Sequence, residues 1–141
     1  MGSDHRMGAP LHLEIQFGSA SECVRFELPE SLADMGRDFI SAEIVLPRFR
    51  GEIRPWIEFD SLQTFTASLR RLYDNLSGSA ELRPREEQLV LRFDAQPAGH
   101  ILLRGEAWAE ATYGSCLSFE LELDQSFLLA PLQTLEAMLK R

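Results

Sequence analysis

Apolar and polar residues alternate along much of the first 59 residues, with the period of two that is typical of half-buried strands. Gly18–Glu22 is predicted to be a turn, and Pro29–Arg37 a loop. The alternation predicts four strands, over residues 11–17, 24–28 and 38–46 and in a stretch that ends at Phe59.

The period then changes to that of an amphipathic helix. Asp60 is predicted to be its N-cap, because a carboxylate there accepts hydrogen bonds from the first helical N–H groups. Gly78 is expected near the C-terminus, where a left-handed residue is favoured. The apolar stripe consists of Leu62, Phe65, Leu69, Leu72 and Leu76.

Strand patterns return in the second half, near residues 80–83, 89–93, 100–107 and 116–123. A second helix is predicted to begin at Asp124, which would cap it. Pro131 either kinks this helix or marks its first turn. The apolar stripe consists of Leu128, Leu132, Leu135 and Leu139.

The predicted order is therefore ββββα ββββα. Strands that follow one another without intervening helices favour antiparallel pairing and the α+β class. The simplest arrangement is a mostly antiparallel, meandering sheet of about eight strands, with both helices on one face. The length of 141 residues and the 45% share of apolar residues fit one compact domain. We expect that domain to span residues 11–141 and residues 1–10 to be a flexible tail or an expression remnant.

Acidic residues outnumber basic ones by 22 to 14, which gives a net charge of −8. Such a charge disfavours direct binding of nucleic acid and favours a basic protein partner. Residues 105–139 contain six acidic residues and no Lys or Arg. Either this segment forms an anionic surface, or neighbouring parts of the fold balance its charge.

The chain contains no apolar run close to the roughly 18 residues of a membrane helix. The first ten residues also lack the apolar core of a signal peptide. We therefore expect a cytoplasmic protein that does not contact membranes. Cys23 and Cys116 show no metal-binding spacing, and both are expected to be free, buried thiols.

No nucleotide-binding, metalloprotease or serine-hydrolase motif is present in the sequence. We therefore expect no enzymatic activity, cofactor or metal ion. One alternative is a small hydrolase that pairs Cys116 with His100, or that uses Glu120 and Glu122, which share one face of a strand. Another alternative is a structural module that associates with itself, for example as a homodimer.

Both tryptophans fall on the polar side of their predicted strands. Trp56 is expected to be partly covered, or to stack on nearby arginines. Trp108 shares its side with Arg104, Glu106 and Glu110, and large aromatic residues on charged faces are typical interface anchors. The predicted partner-binding residues are Glu106, Trp108, Glu110, Glu120 and Glu122.

Three segments resemble a known bacterial family. They are LRRLYDNLSGSAEL at 69–82, GHI at 99–101 with Gly105 after it, and LSFELELDQSFL at 117–128. The chain resembles, over residues 38–139, the family named after WapI, the immunity protein of a cell-wall-associated contact-dependent toxin. The resemblance implies a non-enzymatic antidote that binds a cognate toxin domain, a nuclease in the named case, and blocks its active site. It does not identify contact residues, so Asp124 and Gln125 either are functional or serve only as structural residues at a helix start.

Overall fold

The computed structural model describes residues 12–29, 37–111 and 113–140. The predicted tail, Leu11 and most of the predicted loop at 29–37 lie outside the described residues. The strands are β1 (His12–Gly18), β2 (Cys23–Pro29), β3 (Arg37–Phe39), β4 (Ser41–Val45), β5 (Arg50–Ile53), β6 (Trp56–Glu58), β7 (Ser79–Leu82), β8 (Leu89–Ala95), β9 (His100–Glu110) and β10 (Tyr113–Asp124). The helices are α1 (Phe59–Asn75) and α2 (Leu129–Leu139), with short 3-10 helices at Pro97–Gly99 and Gln125–Phe127.

The described strands form two four-stranded antiparallel sheets and a two-stranded one. The first sheet has the order β1-β2-β4-β5, the second has the order β10-β9-β8-β7, and β3 pairs with β6. The predicted α+β class and the approximate element order are confirmed. The sequence pattern did not reveal that the strands divide between sheets.

Two of the predicted strands are each divided into two shorter ones. The break between β3 and β4 falls at Ile40, and the break between β5 and β6 includes Pro55. A proline has no N–H to donate to a strand ladder, so it interrupts regular pairing. The Ile40 N–H donates to the Pro55 carbonyl oxygen at 2.9 Å, which holds the two breaks beside each other.

Buried side chains from both four-stranded sheets and both helices form one hydrophobic cluster. Phe17 of β1, Phe65 of α1 and Phe93 of β8 meet within it. The Phe17 and Phe93 ring centroids are 5.0 Å apart, and those of Phe65 and Phe93 are 5.6 Å apart. Each four-stranded sheet therefore turns one face towards the core and leaves the other for polar side chains.

Helix α1 buries most of its predicted apolar stripe, but its ends differ from the prediction. It begins at Phe59, and Glu58 rather than Asp60 occupies the N-cap position. Glu58 is only 6% exposed, and its Oε1 accepts hydrogen bonds from the Ser61 hydroxyl and the Arg85 N–H. At the other end, Leu76 is the left-handed C-cap and is 42% exposed, so it does not continue the buried stripe.

Helix α2 begins later than predicted. Asp124 caps the short 3-10 helix that precedes it, so the prediction that Asp124 caps α2 itself is wrong. Pro131 is buried in the first turn of α2, which decides between the two interpretations of this proline. The stripe ends at the fully buried Met138, because Leu139 is only partly buried.

Candidate partner-binding surface

The surface that carries the predicted site is the side of the β7–β10 sheet that faces away from the core, called the outer face below. On β8, for example, Leu91 and Phe93 are buried, whereas Arg92 between them is exposed. An open groove of about 780 Å³ runs over the outer face. Its lining includes Glu81, Arg92, Arg104, Glu106, Trp108 and Glu120.

Three of the five predicted partner-binding residues line this groove: Glu106, Trp108 and Glu120. Glu110 and Glu122 are exposed on the same two strands but do not line it. Pairing of β9 with β10 explains the grouping, because it sets Glu120 directly opposite Arg104. The next outward position along β9 is then Glu106, and Trp108 follows it.

The sequence interpretation did not place Arg83 and Arg92 beside the predicted site, although both line the groove. Four carboxylates line it, but so do the guanidinium groups of Arg83, Arg92 and Arg104. Residues 105–139 looked uniformly acidic because their basic neighbours are Arg83, which follows β7, Arg92 of β8 and Arg104 of β9. Residue parity places Arg104 on the same side of β9 as Glu106, but only strand pairing brings Arg83 and Arg92 beside the acidic residues, so a search along the sequence could not find those two.

Each of these arginines pairs with a carboxylate on the outer face. Arg83 contacts Glu81 and Glu87, both at 3.1 Å, and these bonds raise the pKa of its guanidinium. The Arg92 Nε lies 3.0 Å from an Asp94 oxygen, and this carboxylate raises the pKa of Arg92. The Arg104 Nε donates to Glu120 Oε2 at 3.2 Å.

Trp108 has a well-fixed main chain and a half-buried side chain. Its N–H donates to the Gln88 carbonyl at 2.8 Å, and the Gln88 side-chain amide donates to the Trp108 carbonyl at 3.2 Å. The indole Nε1 lies 3.4 Å from Glu106 Oε1, so this carboxylate is the polar partner of the ring. Trp108 therefore presents an aromatic surface inside a charged groove.

Cys116 lies directly opposite Trp108 on β10, and it is exposed. The prediction that both cysteines are buried is therefore wrong for Cys116 and confirmed for Cys23. The reason is that Cys116 lies on the outward side of β10, which it shares with the exposed Ser118 and Glu120.

The geometry argues against pairing Cys116 with His100 in a catalytic site. His100 lies opposite Asp124 at one end of the β9–β10 hairpin, and Cys116 lies opposite Trp108 eight residues further along β9. At about 3.4 Å per residue, roughly 27 Å separates the two positions.

Glu120 and Glu122 do share one exposed side of β10, as predicted. Among the described residues, no group of three or more His, Cys, Asp or Glu side chains is placed to hold a metal ion.

Two of the segments on which the family resemblance rests, 99–101 and 117–128, meet where His100 lies opposite Asp124, at the end of the β9–β10 hairpin away from its turn. The Asp124 carboxylate accepts hydrogen bonds from the Ser126 hydroxyl at 2.6 Å and the Ser126 N–H at 3.2 Å, which lowers its pKa. The Gln125 side chain covers Gly99, whose φ of +80° favours glycine. Asp124 and Gln125 thus have local structural contacts, as the sequence interpretation expected.

Trp56 is half-buried on β6, where it lies opposite Phe39 in the two-stranded sheet. It does not line the groove on the outer face. Within the described ranges, no helix is long and apolar enough to cross a membrane.

The fold and the groove define an α+β protein with a polar, concave sheet face. The chain belongs to the Immunity protein WapI-like family, whose family model matches residues 12–141. This confirms the resemblance and extends it to β1 and β2, which lie before the residues on which it was recognised. Immunity proteins of this family have a toxin as their partner and are generally not enzymes.

Comparison with solved structures shows the same fold in distant proteins. One structure, of MRP1/MRP2 from a trypanosome, has a TM-score of 0.54 and 13% identity, over 98% of this chain and 89% of that chain. Another, a guideRNA-binding protein complex bound to a gRNA, has a TM-score of 0.55 and 12% identity, over 97% of this chain and 94% of that chain. At these identities the likeness concerns the fold alone. No curated protein matches the sequence.

Proposed function

We propose that this protein is an antidote that neutralises a cognate toxin domain by binding it directly through the outer face. The observation that carries the proposal is the position of Trp108, a large aromatic residue in an open groove among charged side chains. Aromatic residues that are surrounded by polar groups supply much of the binding energy at protein interfaces.

The charges of the outer face support a basic partner. Glu106 and Glu122 form no ion pair among the described residues, and Glu110 adds a third such carboxylate at the end of β9. With a net charge of −8, the protein attracts a basic domain over long distances. A nuclease presents basic residues to phosphate groups, so we propose a nuclease toxin whose phosphate-binding surface is covered by this face.

Binding of RNA by this chain is the function that one structural neighbour suggests. The bound gRNA belongs to that complex, and the charge of this chain argues against the same role. Four carboxylates in the groove would repel a phosphate backbone, and they outnumber the three guanidinium groups there.

Growth rescue tests the proposed function. The toxin domain encoded beside this protein is expressed alone and together with it, and growth is measured. Rescue would support the antidote role. If neither rescue nor complex formation at low salt occurs, the proposed pairing is wrong.

The double variant Glu120→Lys/Glu122→Lys tests the surface. We expect slower association with the toxin domain and a weaker dependence of the association rate on salt, because two attractive charges are reversed. The matched control is Glu14→Lys/Glu27→Lys, which reverses two exposed carboxylates that lie opposite each other on the first sheet. Equal association rates for the wild type and the Glu120/Glu122 variant would exclude this surface while leaving the antidote role intact.

A further inference from the structure

Two arginines on the outer face lie directly opposite each other. Strand pairing places Arg92 of β8 opposite Arg104 of β9, and both side chains are exposed. Directly opposed residues on one side of an antiparallel pair have Cβ atoms about 4.5–5.5 Å apart, and like charges there are destabilising. This arrangement therefore carries a repulsion that the free protein tolerates.

In the first sheet, one carboxylate on β4 binds two arginines, one on each of the strands that flank β4. There Arg25 and Arg50 both donate to the carboxylate of Glu43, which binds the two guanidinium groups together. The arginines lower the pKa of Glu43, as expected for a carboxylate between two cations. One carboxylate thus satisfies two guanidinium groups at once on the surface of this protein.

No described carboxylate bridges Arg92 and Arg104 in the same way. Arg92 binds Asp94 along its own strand, and Arg104 binds Glu120 on the opposite side. Among the described residues, each guanidinium makes one hydrogen bond, through Nε. Since a guanidinium group has five N–H donors, the terminal nitrogens of both arginines remain available to a ligand.

We propose that Arg92 and Arg104 form a receptor for one carboxylate side chain of the toxin partner. The inference rests on the proposed function, and it adds positively charged contact residues to a binding surface that was so far described by its negative charges. The partner places an Asp or Glu between the two arginines, as Glu43 lies between Arg25 and Arg50, and its basic residues face Glu106 and Glu122. Two guanidinium groups fit a carboxylate with charge-assisted hydrogen bonds.

The surroundings of the pair favour a protein carboxylate over a phosphate backbone. Glu81 lies beside Arg92, and Glu120 lies beside Arg104, so the row across the sheet is acidic at both ends. A single carboxylate fits between the arginines, whereas a polyanion would also meet the two flanking acids. A mixed pattern of this kind also rejects partners that are uniformly basic, because like charges across an interface are costly.

The test uses the full chain, the toxin domain encoded beside it, and the variant Arg92→Gln/Arg104→Gln. We expect its affinity for the toxin domain to fall by about tenfold or more, mainly through faster dissociation. Its thermal midpoint should stay close to that of the wild type, because the repulsion between the arginines and their exposed ion pairs with Asp94 and Glu120 are removed together. Arg71→Gln is the control, since Arg71 is an exposed arginine on α1 with a hydrogen bond to Ser68.

The possible results separate the two proposals. If the wild type binds the toxin domain and the Arg92/Arg104 variant binds equally well, the carboxylate receptor is wrong and the antidote role stands. If the wild type does not bind it, the proposed function and this inference both fail. Loss of binding with a lower thermal midpoint would indicate a structural role and would also overturn the inference.

A reversal experiment identifies the ligand. The Arg104→Glu variant should lose binding to the wild-type toxin domain and regain it when one Asp or Glu of that domain is changed to Lys. The Arg71→Glu variant should gain no binding to the altered toxin domain. If the wild type retains a labelled RNA oligonucleotide and the Arg92/Arg104 variant does not, the pair binds phosphate and the proposal is overturned.

Discussion

Gly105 of β9 lies directly opposite Phe119 of β10, and the Phe119 ring fills the space that a side chain at position 105 would need. A Cβ atom built on Gly105 would lie 2.3 Å from Phe119 Cζ. The ring is 8% exposed and belongs to the core. Because Gly105 lies between Arg104 and Glu106, this packing supports the part of β9 that carries two groove residues.

Replacing Gly105 with alanine should destabilise the protein. The added methyl group must displace a buried ring, and overpacking of this kind costs about 1–3 kcal/mol. Gly51→Ala is the matched control, because its Cβ would meet only Leu117 Cδ2 at an ordinary 3.6 Å. Urea denaturation measures both variants. Equal stability of Gly105→Ala and the wild type would contradict the packing described here, whereas Gly105→Ala/Phe119→Leu should recover part of the loss.

Removal of the Trp108 side chain should weaken the complex more than removal of another exposed aromatic ring. Trp108→Ala should cost about 2 kcal/mol of binding free energy to the toxin domain, the size typical of a central aromatic residue. Phe49→Ala is the control, since Phe49 is 65% exposed at the β4–β5 turn and does not line the groove. Calorimetric titration gives both values. Similar affinities for the two variants would remove Trp108 as an anchor.

The contact between the two helices should make the protein sensitive to acid. Arg70 binds Glu136 through two hydrogen bonds, of 2.9 and 2.7 Å, and this lowers the pKa of the Glu136 carboxyl below its ordinary value of 4.5. The Glu136 carboxylate therefore binds a proton more tightly in the unfolded chain than in the folded one. The stabilisation from this pair is present above pH 4.5 and is lost as the pH falls through the folded-state pKa of Glu136.

Glu136→Gln should therefore flatten the acid side of the stability profile, measured as the unfolding midpoint between pH 7 and pH 3. Glu86→Gln is the control, because Glu86 is exposed and forms no ion pair among the described residues. A profile for Glu136→Gln that runs parallel to that of the wild type would show that this pair does not contribute.

Local periodicity was sufficient to predict most of the secondary structure and the sides of the strands. The positions of Trp108 and Glu106 on the polar side of β9 followed from residue parity alone. Helix ends were less predictable, because Glu58 binds Arg85, which is 27 residues away, and this contact cannot be read from the local sequence.

The composition of the groove was predictable only in part, for a related reason. Glu106 of β9 and Glu120 of β10 both line the groove, whereas Glu110 and Glu122 lie on the same strands outside its lining. Arg92 reaches the groove through the pairing of β8 with β9, and that register depends on tertiary structure. The exposure of Cys116, by contrast, agrees with residue parity, since Cys116 shares its side of β10 with the exposed Glu120 and Glu122.

Thiol labelling offers a test of the outer face that needs no substitution in it. Cys116 is exposed beside the groove, whereas Cys23 is buried and burial raises the pKa of its thiol. Because the thiolate is the reactive form, iodoacetamide should modify native protein at Cys116 and leave Cys23 unmodified until the protein unfolds. Mass spectrometry of peptides locates the adduct.

Since Cys116 lies directly opposite Trp108, a toxin domain bound to the outer face should cover both residues. Labelling of Cys116 should then be slower in the complex than in the free protein. An equal amount of an unrelated basic protein should leave the rate unchanged, and Cys116→Ser should abolish labelling of the native protein. If the rate in a saturated complex equals that of the free protein, the partner binds elsewhere, because Cys116 could not stay accessible beneath an interface centred on Trp108.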